Sequence, residues 1–278
     1  AGFNYREVLS YLGGAYTIEH IAVVGGSVGY LGAKMTPTTN PDTIVSSWNQ
    51  SAFPINAFFK VNTFDQAVFP KAGIKLSADV GYNSNVTHTV SLKPDFNLLT
   101  QDEVNDLVYV NPHMMFKFGY QQYIPFSKKF SLFVDARMVL SDKNRIGFND
   151  YSKVGGVAPI LSTGAPFWGV NRNEINVRQF AMASLGFQWK VYGELYLKGK
   201  LNYLNTEYPM VLFSESIAKE DFTLYNKTHT DIFGYGLELA YKSAVGPVRF
   251  VVTQNQYSKV LNVFVGVGYN IYRSEGDF

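Results

Sequence analysis

An all-β fold, a transmembrane antiparallel β-barrel of about eleven to twelve strands, is what this sequence predicts, and three observations predict it. The first is side-chain alternation, clearest over residues 234–272. Phe233, Tyr235, Leu237, Leu239 and Tyr241 are large and apolar, while Gly234, Gly236, Glu238, Ala240 and Lys242 between them are small or charged. After Val245-Gly246-Pro247 the alternation resumes, and it closes with Val263, Val265, Val267, Tyr269 and Ile271 set against Phe264, Gly266, Gly268, Asn270 and Tyr272. A period of two is that of a strand, and one greasy face must meet something apolar. The second observation is composition: 46% hydrophobic, 16% aromatic and only 17% charged residues, where a soluble domain carries about 25% charge. Mean hydropathy is nevertheless −0.05, and no run of about 18 apolar residues offers a membrane helix. A barrel reconciles the two, because its alternate polar residues hide the apolar face from averages. The third observation is that short and long connections alternate along the chain.

The elements follow in order. Strands at 7–19 and 22–35 are joined by a tight turn near His20, and a polar loop, 36–50, follows. Strand 52–63 alternates Phe53, Ile55, Ala57, Phe59 and Val61 with Asn56, Lys60 and Asn62. Past the turn FDQAVFPKAG comes strand 73–83, with Ile74, Leu76, Ala78, Val80 and Tyr82 on one face. Residues 85–106 form a loop with room for a short helix. The next strand sets Val108, Val110, Met114, Phe116, Phe118 and Tyr120 opposite Asn111, His113, Lys117, Gly119 and Gln121. A PFSKK turn leads to strand 130–140, and the longest break, 141–176, follows it. Strand 177–191 turns outward Leu185, Phe187 and Trp189; Tyr192-Gly193-Glu194 leads into strand 195–204; loop 205–230 precedes three closing strands. Strands of about ten to fifteen residues are near or above the nine to eleven needed to cross a bilayer. A lipocalin-like or sandwich fold is the lesser alternative, since soluble strands average about five to six residues. Residues 1–272 thus make one barrel domain and 273–278 a tail. Beginning at Ala1 without a leader, the chain is expected to be a mature or trimmed product, or a fragment.

The inner faces carry Lys60, Lys75, Lys117, Arg137, Lys190, Lys198, Lys200, Lys242 and Arg249 against Asp79, Asp135 and Glu238. Mutual salt bridging in a hydrated lumen is favoured over selectivity for an anionic segment or lipid headgroup. Net charge is +2 with no basic block, which gives nucleic-acid binding no support. There are no cysteines, so disulfides, thiolate metal sites and cysteine nucleophiles are excluded.

Several motifs imitate chemistry. Gly25-Gly26-Ser27-Val28-Gly29 has the spacing of a G-x-S-x-G nucleophile elbow, but about twenty residues before it cannot supply the strands and oxyanion loop that elbow needs. Small residues on a barrel strand are the better reading. His20, His88, His113 and His229 are scattered without metal-ligand spacing, and His113 reads as a hydrogen-bonded wall residue. Asp95, Asp102, Glu103 and Asp106 lack the D-x-D-x-D-G order of a calcium loop. Asp42-Thr43-Ile44 resembles an O-glycosylation sequon of Bacteroidetes. No catalytic residue, metal site or cofactor is expected.

The run NTFDQAVFPKAG, 62–73, resembles the D-x-x-x-x-F-P-x-x-G signature of the outer-membrane insertase and two-partner-secretion transporter superfamily, as does the closing GYGLELAYKSAVGPVRFVV with its G-x-G-Y strand. Pro166-Phe167-Trp168-Gly169 with VRQFAMASLGFQWKVYGELYLKGKLNY is similar to the patatin-like phospholipase, type V secretion branch of Bacteroidetes-type bacteria. The resemblance implies a sixteen-stranded barrel of which these would be the last eleven, preceded by POTRA repeats and a lipase domain. It also implies that loop 141–176 folds into the lumen with an Arg-Gly-aromatic tip against an acidic wall residue. The nearest match is Arg145-Ile146-Gly147-Phe148, giving Arg145, Gly147 and Phe148 with an inserted Ile. An odd count does not close the usual even barrel, so strands upstream, a second chain or a missed twelfth strand would complete it. The expected role is translocator or anchor for an upstream patatin-like phospholipase, in the outer membrane of a Gram-negative bacterium. The expected partners are membrane lipid, lipopolysaccharide and other outer-membrane proteins, with no nucleic acid. The rival is a porin-like channel or accessory subunit; a barrel lipase acting through Ser27 ranks third.

Overall fold

A computed structural model describes residues 3–37, 45–92, 111–143, 146, 150–157, 164–171, 174–207, 229–258 and 260–268. Its long strands are β1 (Phe3–Ile18), β2 (Ala22–Pro37), β3 (Val45–Asn62), β4 (Gly73–Leu92), β5 (His113–Pro125) and β6 (Phe130–Ser141). After the short β7 (Ser152–Val154), β8 (Gly164–Ala165) and β9 (Ile175–Val177) come β10 (Gln179–Tyr192), β11 (Leu195–Glu207), β12 (His229–Ser243), β13 (Gly246–Asn255) and β14 (Asn262–Val267). Eleven of these form one meandering antiparallel sheet, β1-β2-β3-β4-β5-β6-β10-β11-β12-β13-β14. The skip from β6 to β10 is filled by a separate three-stranded sheet, β8-β7-β9. Among the described residues no pairing joins β1 to β14.

Side-chain alternation sorts this sheet into two faces. On the outer one Val28, Ile55, Val80, Leu185, Leu201, Leu237, Phe250 and Val265 stay exposed, the arrangement expected of a surface whose solvent is lipid. Tyr16, Tyr192, Tyr241 and Phe126, also exposed, collect where the strands meet their short turns, as interfacial aromatics do. The inner face buries Leu31, Tyr123, Phe133, Tyr196, Leu204 and Val251. Leu201, in the middle of the thirteen-residue β11, is 62% exposed. Leu201→Arg should therefore cost about 2–4 kcal/mol in urea unfolding from bilayers, and Val245→Arg, at a turn, about 0–1 kcal/mol.

The short turns set the hairpin registers. Between β1 and β2, Glu19 and His20 both adopt positive φ (48° and 59°) and Ile21 N donates to Ile18 O at 3.0 Å. Because Ile18 pairs with Ala22 the connection has three residues, and its two left-handed positions turn with the twist of the strands. Phe126 N and Ser127 N both donate to Phe130 O at 3.0 Å in the β5–β6 turn.

Strand ends depart from expectation on the long-loop side. Residues 45–50 are not loop but the start of β3, and 85–92 are the end of β4 rather than a loop or helix; 93–110 lie outside the described residues. Alternation of apolar with polar side chains fades at Ser46, Ser47 and Asn49, so the eye stops there. A strand that projects past the bilayer needs no lipid face, and the backbone ladder simply continues through Gln50↔His88 and Trp48↔Val90. Residues 141–176 are not a featureless loop either: they contain β7, β8 and most of β9, and the strand expected from 177 begins at Gln179.

Candidate functional site

The described parts of the connection between β6 and β10, residues 150–157, 164–171 and 174–178, lie on the inside of the sheet, and their core is the β8-β7-β9 sheet. Val154 and Ala165 pair in parallel and Val154 and Ile175 antiparallel. Gly155 N and Gly156 N donate to Ala165 O and Val170 O. Val154, Ala165, Phe167, Val170, Ile175 and Val177 form one apolar cluster with Met115 (β5), Val139 (β6), Phe180 and Met182 (β10), Leu204 (β11) and Ile232 (β12). Burial of each large side chain there contributes about 1.5–3 kcal/mol. The upper wall is thus apolar on its inner face, which alternation alone would have assigned to water.

The loop is tied at two distant places. On one side Asp150 reaches β3, β4 and β5: Asn83 Nδ2 donates to its Oδ1 at 2.7 Å, Gln50 Nε2 to Oδ2 at 3.4 Å, and His113 Nε2 lies 3.3 Å from Oδ2. His113 is completely buried, and its Nδ1 donates to Asn111 O at 2.9 Å. On the other side Trp168 and Asn202 of β11 bond reciprocally, Asn202 Nδ2 to Trp168 O at 2.9 Å and Trp168 N to Asn202 Oδ1 at 3.3 Å. Gly169 O accepts from Asn255 Nδ2 of β13 (2.6 Å) and Asn262 Nδ2 of β14 (3.2 Å). Gly169 has φ +101°, and a Cβ there would stand 2.4 Å from Gln254 O. A Cβ on Gly234 would stand 1.8 Å from Trp168 O. One loop docks on both β3–β5 and β11–β14, and Lys198 of β11 reaches Tyr123 of β5, about 14 Å away along a flat sheet at about 4.8 Å per strand, as a curved barrel wall brings them together. The loop is a strut across a lumen.

Arg145, Gly147 and Phe148, the expected tip, lie outside the described residues, and Ile146 between them is buried. The anchors that are described, Asp150 and Phe167-Trp168-Gly169, were not singled out as such from the sequence. Two aromatics followed by Gly in a long loop were the available signal; Asp150 carried none.

All twelve charged wall residues share the strut's face by cross-strand register. Asp135, 5% exposed, accepts from Arg137 Nε at 3.1 Å and lies 4.0 Å from Lys200 Nζ. Glu238, equally buried, lies 3.4 Å from Arg249 Nε. Lys198 Nζ donates to Tyr123 Oη at 3.0 Å and sits 4.5 Å above the Phe133 ring, while Lys200 is 5.8 Å from the Trp168 ring. Asp79 stands directly across from Lys117, and Lys60, on β3 beside them, lies 5.3 Å from the Phe58 ring. Lys75 is opposite Gln121 and Asn62, and Lys242 opposite Pro247. Lys190 bonds Glu194 of the β10–β11 turn at 2.7 Å, and that bond holds the Glu194 carboxyl below its ordinary value. The closest of these contacts are ion pairs and cation–π stacks within the wall, and Asp150 adds an acid to the three expected on that face.

Ser27 lies inside β2, paired with Gly13 and Asn56 in extended conformation, so strand-turn-helix geometry is absent there. Asp42-Thr43-Ile44, Asp95, Asp102, Glu103 and Asp106 fall outside the described residues. Among the described residues no group of three His, Asp or Glu side chains could hold a metal ion.

No family model and no curated protein sequence matches the chain. Among solved structures, the chain is similar to the crystal structure of BamA from Haemophilus ducreyi lacking POTRA domains 1-3, with 10% identity and a TM-score of 0.61. The match covers 95% of this chain and 53% of that one, so the chain spans about half the length of that structure. At this identity the likeness concerns architecture, and the architecture is an all-β, antiparallel β-barrel wall curved around a loop that crosses its inside.

Proposed function

We propose that this chain is wall and plug of an outer-membrane translocator barrel in a Gram-negative bacterium, anchoring or exporting an upstream patatin-like phospholipase domain of the type V secretion kind. The observation that carries the reading is the strut: a long loop docked on β3–β5 and on β11–β14 of a BamA-like wall. A plugged lumen suits a barrel that opens for one client and is poorly suited to steady diffusion. The chain's part is to span, position and gate; covalent chemistry would belong to the upstream domain. The apolar outer face supplies the contact with lipid and lipopolysaccharide.

A second reading, an accessory subunit in a larger outer-membrane assembly, draws on β1. Its residues 10–18 are exposed on both faces, and in lipid an unpaired strand edge leaves backbone N–H and C=O groups unsatisfied. A neighbouring chain could supply the missing strand.

The reading of the gene upstream of Ala1 separates these: G-x-S-x-G with a later Asp-Gly supports the translocator, and a signal peptide directly before Ala1 removes it. Topology is checked by cysteine labelling in whole cells. Thr39→Cys and Ser162→Cys, in two long connections of the sequence, should react with an impermeant reagent and Lys128→Cys, in a short one, should not. The opposite pattern inverts the barrel.

A further inference from the structure

The β3–β4 turn, residues 63–72, does not end at the rim. Its base is tied: Asp65 Oδ1 accepts the N–H groups of Lys71 (2.8 Å) and Ala72 (3.2 Å), and Thr63 Oγ1 accepts that of Ile74 (2.8 Å). From that base the apex folds inward past β5 and β6 to the opposite wall. The Phe69 ring stacks on Tyr196 of β11, with centroids 4.4 Å apart and planes 11° from parallel. Phe69 also packs with Ala240 of β12 and lies 5.9 Å from the Arg249 guanidinium of β13. Pro70 O accepts from Gln188 Nε2 of β10 at 3.0 Å. At the root, Phe64 meets Tyr123 edge-on (5.5 Å), and Tyr123 stacks on Phe133 (5.3 Å) beneath Lys198. Rings therefore floor the interior from β5 to β13 on the short-turn side, below the strut.

Phe69 holds φ +54°, a conformation that is an outlier for a bulky residue. Such strain persists only where surrounding contacts over-determine it, and it gathers at switches. Here the contacts that hold it are made by the apex: the Pro70–Gln188 hydrogen bond, the stack on Tyr196, the packing with Ala240 and the cation–π contact with Arg249. The base that Asp65 and Thr63 hold is independent of them.

We propose that turn 63–72 is a gate for the short-turn mouth of the lumen, latched shut by Phe69 on Tyr196 and by Gln188 on Pro70, and able to swing as one piece when those contacts break. This gate is separate from the strut, closes the other end of the lumen, and does not depend on which client the barrel serves.

The test uses the complete gene product in lipid vesicles, with a small charged methanethiosulfonate reagent supplied from the short-turn side. Ser184, buried on β10 between floor and strut, becomes the reporter as Ser184→Cys. It should react slowly in the latched protein. Adding Gln188→Ala should raise the rate about fivefold, the consequence of one lost hydrogen bond, and adding Phe69→Ala should raise it about tenfold or more. Rates unchanged by both substitutions overturn the gate. The latched state is tested without touching the latch residues by Val68→Cys with Ala240→Cys, which pack in the same cluster: a short bifunctional thiosulfonate should cross-link them in the resting protein, and absence of the cross-link overturns the proposal. Should Phe69→Ala fail to fold, the Gln188→Ala rate and the cross-link decide.

Discussion

Asp135→Asn should destabilise the folded protein by about 3–5 kcal/mol, measured by urea unfolding from detergent or bilayers with tryptophan fluorescence as the signal. The carboxylate is 5% exposed and is the shared partner of Arg137 (3.1 Å) and Lys200 (4.0 Å). Lys200 is itself almost fully buried beneath Trp168. The amide keeps the shape of the acid and removes its charge, so Arg137 and Lys200 lose the counter-charge they share. Breaking a buried pair from one side is costly because the surviving charge stays desolvated. Glu194→Gln is the matched control: its pair with Lys190 is short, 2.7 Å, but exposed at a turn, where solvent screens the loss and no measurable change is expected. A cost below about 1 kcal/mol for Asp135→Asn would mean that water fills the middle of the lumen and hydrates these cations.

Gly234→Ala should have the second large effect, and it acts on the strut. The added methyl carbon would stand 1.8 Å from the Trp168 carbonyl oxygen and 2.5 Å from Asn202 Nδ2. A backbone carbonyl cannot yield as a flexible side chain does. Forcing it away costs about 1–3 kcal/mol of overpacking and endangers the reciprocal Trp168–Asn202 bonds, each worth about 1 kcal/mol. The expected result is a barrel that still inserts while the strut detaches from β11–β14, seen as protease cleavage between 157 and 172 and as a shift of Trp168 emission. Gly14→Ala, where nothing lies within 4 Å of the added carbon, should change neither. Equal protease resistance in the two variants would show that the docking of Trp168 on β12 is not what holds the strut.

The eleven wall strands and their outward faces were legible in the chain because both follow from local rules. A strand alternates every two residues, and lipid selects an apolar side chain at each outward position, as at Tyr235, Leu237 and Leu239. Legibility failed where lipid stops selecting. The extensions 45–50 and 85–92 read as loop because, beyond the bilayer, either face of a strand tolerates polar side chains. It failed again on the upper inner wall, where Met115, Val139, Met182 and Leu204 face protein instead of water.

What the sequence by itself determined, then, was the class of wall, the side of it that meets lipid and the end that carries short turns, all properties of neighbours two residues or one hairpin apart. Only the tertiary structure decided what occupies the inside. Asp150 meets Asn83 across 67 positions, Trp168 meets Asn202 across 34, and Pro70 meets Gln188 across 118. No period links such residues. Each contact exists because the sheet curves until distant strands face one another, and the strut and the strained Phe69 turn are the two segments placed to fill the space that curvature encloses.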